Sequence, residues 1–472
     1  VPPALSPIRL PNVGNLLRIN ERVQSMAQER DMGASTSQAS AGGARRVVVI
    51  AGPTAVGKSA LALRRCETLR GELISVDSVQ VYRGLQIGAN KPSAAEIDRV
   101  RHHLLDLREP DEGYTAGAFY TDALRAVDEV LARGRVPVLV GGTSMYLQWL
   151  VGGRPTAPKA DPETAERVRL QLAPLEAADD WPAGIAELQK LDPKSAEKLS
   201  RNDWYRLQRA LEVAQQTQST AAELPPPPDP DGLDELRASL DMRCFFLSAP
   251  REPLCRRIDT RCESMLHGGL LEETTELLAS GRLLPSCPAG RAIGYKQALQ
   301  YLVRDQWQPG DAAALVSFVE GFAAASRKYA GQQTKWFRRE SQFEWVASDW
   351  EQPELTEQYV RSRVAVDRST FDLGLASEQQ RAMRTVDKSV GQQMKTYLPQ
   401  VGRAAPTTLP VHSLAAPYAQ SLVACHAPAL FSPCNPSDTC TPMHRHDRCQ
   451  GACQRARAAR RSYRGLTPAV PS

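Results

Sequence analysis

The sequence lacks any apolar run that approaches the roughly 20 residues of a membrane-spanning helix, so no transmembrane helix is predicted. It also lacks a strong charge of either sign, because the formal net charge of its 472 residues is +5. Such a charge permits a nucleic-acid partner without demanding one, since a local basic face matters more than the total. The composition is otherwise that of an ordinary globular enzyme or binding protein.

Cysteines with paired spacing are missing from the part of the chain that carries helix and strand patterns. Cys66, Cys244, Cys255, Cys262 and Cys287 are scattered there, and we predict buried or idle thiols in a reducing compartment. The other five lie at 425–453 among histidines. Their order, Cys-x5-Cys-x3-His-x-His-x2-Cys-x3-Cys from 434 to 453, does not fit a Cys2His2 finger, so a zinc site is not favoured over an unrelated extension or a mis-spliced gene model.

Short apolar runs alternate with helical patterns from residue 45 onward. The run Val-Val-Val-Ile at 47–50 is typical of a strand buried on both faces. Alternating strands and helices predict a P-loop NTPase-like α/β fold, with a parallel sheet flanked by helices. Further strands are predicted at 73–76, 104–107, 136–140 and 244–247.

The alternation breaks at 158–235, where Ala, Glu, Leu, Lys and Arg predominate, and we predict a helical subdomain inserted into the sheet domain. The predicted organisation is a disordered leader or partial transit peptide at 1–44, the first part of the core at 45–157, the insert at 158–235, the completed core with further helices at 236–350, and a mostly disordered extension at 351–472.

A glycine-rich loop, Gly-Pro-Thr-Ala-Val-Gly-Lys-Ser at 52–59, lies between the first strand and a helix. This is the context that a phosphate-binding loop requires, because glycines let backbone N–H groups curl around phosphate oxygens. The lysine reaches the terminal phosphates and the serine can ligate Mg²⁺. The predicted phosphate-binding residues are Gly52, Thr54, Ala55, Gly57, Lys58 and Ser59, with Ser59 as the metal ligand.

Asp77 and Thr143 each lie just beyond a predicted strand, in Asp-Ser-Val-Gln at 77–80 and Gly-Gly-Thr at 141–143. Ligands of open α/β sheets bind at the carboxyl ends of strands, so both side chains could face the bound phosphate. From position alone, a lone aspartate after a strand is more often a helix cap. An aspartate that closes a long hydrophobic strand, which a P-loop ATPase would use to hold Mg²⁺, is not plainly present.

Basic residues recur in the helical parts. Arg206 and Arg209 lie three apart, and Arg257 and Arg261 lie four apart, so each pair shares a helix face, with solvated ion pairs as the default interpretation. The segment 327–339 interleaves five basic residues with three aromatic ones, a composition found at nucleic-acid surfaces.

Taken together, these segments resemble the tRNA dimethylallyltransferases, and in their amino-acid sequence they are most similar to the bacterial-type enzymes of plants and algae. The resemblance covers roughly 45–350 collinearly. Its motifs are Gly-Pro-Thr-Ala-Val-Gly-Lys-Ser (52–59), Asp-Ser-Val-Gln-Val-Tyr-Arg-Gly (77–84), Ile-Gly-Ala-Asn-Lys-Pro (87–92), His-His-Leu-Leu-Asp (102–106), Val-Gly-Gly-Thr (140–143) with Tyr146, Asn-Asp through Arg-Ala-Leu-Glu (202–212), Ala-Ile-Gly-Tyr-Lys-Gln (292–297) and Lys-Trp-Phe-Arg (335–338).

The resemblance implies a reaction and a role for each motif. The N6 amine of an adenosine beside the anticodon would attack C1 of dimethylallyl diphosphate, and diphosphate would leave, neutralised by Lys58, the loop and Mg²⁺. Asp77 would act as general base and Thr143 would hold diphosphate or the base, so the implied catalytic residues are Asp77, Thr143 and Lys58. The adenosine would be flipped into a channel.

The resemblance also implies a tRNA anticodon stem-loop as partner, held by the insert, with no membrane and a monomeric enzyme. The family pattern departs here at Ala89, where a hydroxyl is common, and at Ala165, where a basic residue is common. The implied tRNA-binding residues are Asp77, Ser78, Gln80, Arg206, Arg209, Arg291, Gly294, Tyr295 and Lys296.

Three alternatives remain at this point. The same chemistry could act on free AMP, ADP or ATP, as in cytokinin formation, although a small nucleotide needs no helical clasp. A P-loop kinase of a small metabolite and a catalytically idle RNA-binding module are the others. The leader favours a plastid or mitochondrion, and the cytoplasm is the alternative compartment.

Overall fold

A computed structural model describes residues 45–155, 160–217, 229, 231–304 and 311–384. Six parallel strands form one sheet in the order β3-β2-β4-β1-β5-β6. The strands are β1 Arg45–Ala51, β2 Gly71–Val76, β3 His102–His103, β4 Val136–Gly141, β5 Leu240–Ser248 and β6 Glu344–Ala347.

Helices flank this sheet, and the predicted α/β architecture is confirmed. The helices of the sheet-forming part are α1 Lys58–Leu69, α2 Ala94–Arg99, α3 Ala116–Ala132, α10 Arg251–His267, α11 Leu270–Ala279, α12 Tyr295–Leu302, α13 Ala312–Phe337, α14 Pro353–Ala365, α15 Arg368–Leu375 and α16 Glu378–Arg384. The helices between β4 and β5 are α4 Ser144–Gly152, α5 Pro162–Ala177, α6 Trp181–Leu191, α7 Pro193–Ala196, α8 Trp204–Thr217 and α9 Leu233–Ala238.

Strand β1 is the centre of the core. Residues 47–51 have no exposed surface, because β4 and β5 pair with both edges of the strand and helices cover both faces. A strand buried in this way reads as a continuous β-branched run, which is why it could be predicted. The cysteines at 66, 244, 255, 262 and 287 are free and buried, as predicted, and burial raises the pKa of the Cys66 and Cys244 thiols to about 12.

Residues 145–239 form a separate compact unit, within which the predicted insert at 158–235 lies. Its helices enclose a small core of their own, and the rings of Trp181 and Trp204 meet edge to face at 5.2 Å. Arg154 closes the unit by donating to both carboxylate oxygens of Asp234.

Two expectations about the strands are corrected. Residues 104–107 are not a strand, because Leu104 and Asp106 adopt left-handed backbone angles, with φ of 63° and 55°; β3 is confined to His102–His103. Strand β6 was not predicted, since it is only four residues long and begins with a glutamate.

The chain continues as helices beyond residue 352, where mostly disordered sequence was predicted. Arg65 in α1 donates to Glu357 in α14 at 2.5 Å, and Arg363 donates to Glu344 in β6 at 2.8 Å. Phe371 in α15 is fully buried beneath the guanidinium groups of Arg243, Arg363 and Arg368. The leader at 1–44 and the cysteine-rich tail lie outside the described residues.

Among the described residues, none of the helices combines the length and the apolar character that crossing a membrane requires.

Because Phe371 is buried against the sheet domain, we expect Phe371→Ala to lower the free energy of unfolding by about 3–5 kcal/mol. The control is Leu373→Ala on the same helix, whose side chain is 75% exposed and which should change that energy by less than about 0.5 kcal/mol. Urea unfolding followed by circular dichroism measures both. Equal effects would show that α15 is not part of the cooperative fold.

Candidate active site

The phosphate loop, Asp77 and Thr143 meet at one edge of the sheet. The loop follows β1, Asp77 follows β2 and Thr143 lies two residues beyond β4, and these three strands are adjacent and parallel. The carboxyl ends of parallel strands share an edge, so residues far apart in sequence converge there. The Thr143 hydroxyl accepts a hydrogen bond from the Ser78 N–H at 3.2 Å, which joins the two strand ends directly.

The loop has the backbone of an anion cradle. Gly57 precedes α1 with φ 104°, a conformation open to glycine, and Ala55 is left-handed with φ 66°. Lys58 is the first residue of α1, and its Nζ donates to the Pro53 carbonyl at 2.8 Å across the loop. Burial and the neighbouring positive charge of Arg261 lower the pKa of Lys58 to about 7. The negative charge of Asp77 has the opposite effect and favours a higher pKa.

Asp77 is held by its own turn. Its Oδ1 accepts from the N–H groups of Val79 at 2.8 Å and Gln80 at 3.3 Å in a turn, and no helix begins there, so the helix-cap interpretation is wrong. The other carboxylate oxygen has no part in these bonds. Asp77 lines the same cavity as Arg261 and Tyr329, where a carboxylate can accept a proton.

Tyr329 is the neutral donor of the site. Its hydroxyl hydrogen-bonds with Thr143 and Gln333, and burial, with the nearby charge of Asp77, raises its pKa to about 12. The tyrosine therefore stays protonated at neutral pH and faces Asp77 as a hydroxyl rather than as a phenolate. It was predicted only as a member of the basic and aromatic segment.

Arg261 brings a positive charge to the loop from α10. Its Nη1 donates to the Thr54 hydroxyl at 2.8 Å, and burial lowers its pKa from the ordinary value, although a guanidinium remains charged. The default expectation that Arg257 and Arg261 form a solvated face is wrong for Arg261, because the turn of α10 that carries it packs on the phosphate loop.

Gln333 in α13 binds two strand ends at once. Its Oε1 accepts from the Thr54 N–H at 3.0 Å and its Nε2 donates to the Gly142 carbonyl at 2.9 Å. A Cβ at Gly142 would lie 2.2 Å from that Nε2, so only glycine leaves the amide room. Gln333 was not singled out from the sequence, because a glutamine in a long helix carries no local signal.

A cavity of about 270 Å³ lies at this site, and its wall combines polar and apolar side chains. The polar groups can hold an anion and an amine, and the apolar groups can contact a small hydrocarbon group. The polar lining comprises Thr54, Asp77, Ser78, Arg261, Arg291, Ser326 and Tyr329, and the apolar lining comprises Val79, Gly88, Ala89, Ile258, Cys262, Met265, Ala292, Ile293 and Phe322.

The motif at 87–92 forms the wall opposite the loop and is fixed by one carboxylate. Glu273 in α11 accepts from the N–H groups of Gln86, Ile87 and Gly88 and from the Tyr295 hydroxyl at 2.6 Å. A Cβ at Gly88 would lie 2.5 Å from the Tyr295 ring, so the wall packs directly on that ring.

The structure separates the residues that the resemblance assigned to tRNA. Gln80 is half-buried and braces the wall by donating to the carbonyls of Ala89 and Asn90, and Tyr295 is fully buried. Gly294 is buried at the start of α12 with φ 96°. Ser78 and Arg291 line the cavity, and Lys296 is exposed.

Arg206 and Arg209 lie on α8 in the unit 145–239. Arg206 pairs with Asp203 at 3.4 Å and Arg209 with Glu212 at 3.1 Å, which matches the default expectation of ion-paired faces. The Arg206 side chain nonetheless keeps 67% of its surface exposed. Of these two residues, it is the better placed for a phosphate.

The segment 327–339 is only partly a surface. Arg327 forms an ion pair with the buried Asp259, Phe337 packs between Phe246 and Phe343, and Tyr329 belongs to the cavity. Lys328, Lys335 and Arg339 are exposed. Phe337 thus serves the core and Tyr329 the cavity, and the exposed part of the predicted nucleic-acid surface consists of these two lysines and one arginine.

Ser59 is exposed beside the loop. Within the described part of the chain, no group of three or more His, Cys, Asp or Glu side chains could hold a metal ion. A magnesium ion fits here only through the Ser59 hydroxyl, phosphate oxygens of a ligand and water, a donor set that Mg²⁺ accepts.

Comparison with known proteins agrees with this geometry. A family model described as IPP transferase matches residues 80–340, more than half of the chain. The chain is 40% identical over 328 residues to tRNA dimethylallyltransferase 9 of Arabidopsis thaliana, which covers 64% of this chain and 71% of the relative. It is 42% identical over 292 residues to the tRNA dimethylallyltransferase of Halorhodospira halophila, covering 62% and 89%.

A solved structure supports the same assignment. A eukaryotic dimethylallyltransferase acting on tRNA superposes with a TM-score of 0.54 at 25% identity, covering 72% of this chain and 86% of that one. The resemblance drawn from the eight motifs is confirmed at the level of the family. The narrower likeness to plant and algal enzymes stays a prediction.

Lys58→Met should weaken binding of inorganic diphosphate by at least about 100-fold, because the loop 52–59 loses its one lysine and with it a positive charge that stabilises the anion. It should also leave the empty protein as stable or more stable. The pKa of Lys58 is 10.5 unfolded and about 7 folded, so its burial costs most below pH 7 and nothing near pH 10.5. Any gain in melting temperature should therefore shrink as pH rises between these values.

Calorimetric titration and thermal melts at several pH values test this expectation. Lys194→Met, an exposed lysine in the unit 145–239, serves as the control and should change neither property. Binding of diphosphate by Lys58→Met with wild-type affinity would contradict the assignment of Lys58.

Proposed function

The chain belongs to the IPP transferase family as a tRNA dimethylallyltransferase that modifies adenosine, and we propose that its donor is dimethylallyl diphosphate and its acceptor the N6 amine of an adenosine beside the anticodon. The observation that supports this donor is the mixed lining of the cavity, which joins Thr54 of the phosphate loop and Arg261 to a set of apolar side chains. A diphosphate ester of a short branched hydrocarbon likewise combines a charged and an apolar part. An ATP-dependent kinase site has no use for an apolar pocket there.

The reaction balances without a redox partner. The N6 lone pair forms a bond to C1 of the donor while the C1–O bond breaks, and the electron pair leaves with diphosphate. Lys58, Arg261 and the loop N–H groups stabilise the charge that grows on the leaving group, and Mg²⁺ held by Ser59 and the phosphates would add Lewis-acid stabilisation.

The proton of the N6 amine has an acceptor close by. Asp77 is fixed through one oxygen by Val79 and Gln80, so its other oxygen can accept the proton or orient the amine. Thr143 and Tyr329, which are hydrogen-bonded to each other, are neutral groups that can contact the base or the bridging oxygen without competing for that proton.

Asp77→Asn should reduce transfer by about 100- to 10,000-fold while leaving RNA binding within a factor of two or three, because the change removes the base but keeps the turn. The assay uses purified protein, dimethylallyl diphosphate, Mg²⁺ and an anticodon stem-loop RNA, with nucleosides read by mass spectrometry. Asp98→Asn, an exposed carboxylate on α2, is the control.

The same assay separates the alternatives. Prenylation of AMP in place of RNA would favour the cytokinin-forming activity, and ATP consumption without prenyl transfer would favour a kinase. No transfer to the RNA by folded wild-type protein would overturn the proposed function.

The RNA surface of the unit 145–239 can be tested separately. Tyr205 on α8 is 77% exposed next to the exposed Arg206, and an exposed aromatic ring beside a guanidinium suits an unstacked base and its phosphate. Tyr205→Ala combined with Arg206→Ala should raise KM for the RNA by about tenfold. Leu170→Ala, at a 58% exposed apolar residue of α5, should leave this KM unchanged.

The KM for dimethylallyl diphosphate should stay at the wild-type value in both variants, since all three substituted residues belong to the unit 145–239 and the phosphate loop does not. An unchanged KM for the RNA in the double variant would exclude this face as the RNA surface.

A further inference from the structure

The phosphate loop is held from its outer side by side chains of distant segments. The Val56 carbonyl accepts two hydrogen bonds, from the Ser348 hydroxyl at 2.8 Å and from the Trp350 indole N–H at 2.9 Å. The preceding carbonyl, that of Ala55, accepts from Arg257 Nε at 3.2 Å. Both carbonyl groups are thereby fixed outward.

Ser348 and Trp350 belong to the segment that follows β6, beyond residue 340, where the family match ends. This segment is itself anchored. The Ser348 N–H donates to the Ser248 carbonyl at 2.8 Å, and the Asp349 carboxylate accepts from the N–H groups of Glu351 and Gln352. Its side chains therefore meet the loop from a fixed backbone.

Trp350 also connects the two outward contacts. The Arg257 guanidinium lies 4.4 Å from the centre of the Trp350 ring, a cation–π arrangement that favours one orientation for both side chains. Ser348, Trp350 and Arg257 therefore act on consecutive peptide groups of the loop as one clamp, called here the outer clamp.

The direction of a carbonyl sets the direction of the next N–H. A trans peptide is planar, and its C=O and N–H point to opposite sides. Holding the Val56 carbonyl against Ser348 and Trp350 thus turns the Gly57 N–H to the opposite face of the loop, where an anion would bind. Ala55 needs such restraint because its left-handed φ of 66° is seldom adopted by residues with a Cβ.

We propose that Trp350 and Ser348 are positioning residues for the diphosphate, acting through the Val56–Gly57 peptide with Arg257 as their support. The inference rests on the proposed function, because it concerns the leaving group of that reaction. It predicts that donor binding, and not RNA binding, depends on these two side chains.

The test compares Trp350→Phe, Ser348→Ala and the double variant by calorimetric titration with inorganic diphosphate and by steady-state transfer. Each single change removes one hydrogen bond and should weaken diphosphate binding about three- to tenfold, with a larger loss in the double variant. The KM for dimethylallyl diphosphate should rise in parallel, and the KM for the anticodon stem-loop RNA should not. Ser348→Thr keeps the hydroxyl and should restore binding.

Trp345→Phe is the matched control. Trp345 lies in β6, and its buried indole N–H has no hydrogen-bond partner among the described residues, so the same chemical change removes no bond to the loop. Diphosphate affinity should be that of the wild type. A purely structural role of Trp350 would instead lower melting temperature and affect both substrates alike.

Wild-type diphosphate affinity in both single variants would overturn the inference while leaving the proposed function intact. Absence of diphosphate binding and of transfer in the wild-type protein would overturn the proposed function itself. If the double variant does not fold, the two single variants are sufficient to test the inference.

Discussion

The site depends on one constraint: a short loop must keep its Val56–Gly57 peptide in the one orientation that leaves the Gly57 N–H free for an anion. A free loop does not hold that arrangement, because neighbouring N–H dipoles repel and Ala55 must adopt a left-handed angle. Here three sets of side chains fix the loop by hydrogen bonds. Gln333 accepts from the Thr54 N–H, Arg261 donates to the Thr54 hydroxyl, and Ser348 and Trp350 donate to the Val56 carbonyl. The cavity beside the loop exists because these contacts leave its inner face open.

The central strands could be predicted from sequence because burial on both faces demands a continuous β-branched run, as at 47–50. The weaker edge strands could not. Leucines at 104 and 105 resembled a strand, but Leu104 and Asp106 turn left-handed and pair their segment with the backbone near Tyr82. Strand β6 is too short and too polar at its start to differ from a loop. The helices after 352 were missed because their anchors, such as Phe371, pack on arginines rather than on a periodic apolar stripe.

The chemical part of the site was predictable where it follows a strand. Asp77 and Thr143 could be placed together by the rule that strand ends converge, and the loop by its spacing. Gln333, Arg261 and Trp350 could not be so placed, since they contact the loop from segments more than 200 residues away, and no sequence spacing indicates such a contact. The resemblance named Tyr295 and Gln80 correctly as part of the motifs, but only packing shows that they support the wall.

The strand order has a consequence for the way this protein is made. Strand β1 is synthesised first and lies between β4 and β5, yet β5 begins about 190 residues after β1. While the ribosome makes the unit 145–239, the apolar run 47–51 of β1 has one edge without its partner. Such an edge invites pairing with other chains, and long-range parallel pairing is slow. We therefore expect the nascent chain to bind a chaperone during this interval, and a chain that ends before residue 240 should aggregate.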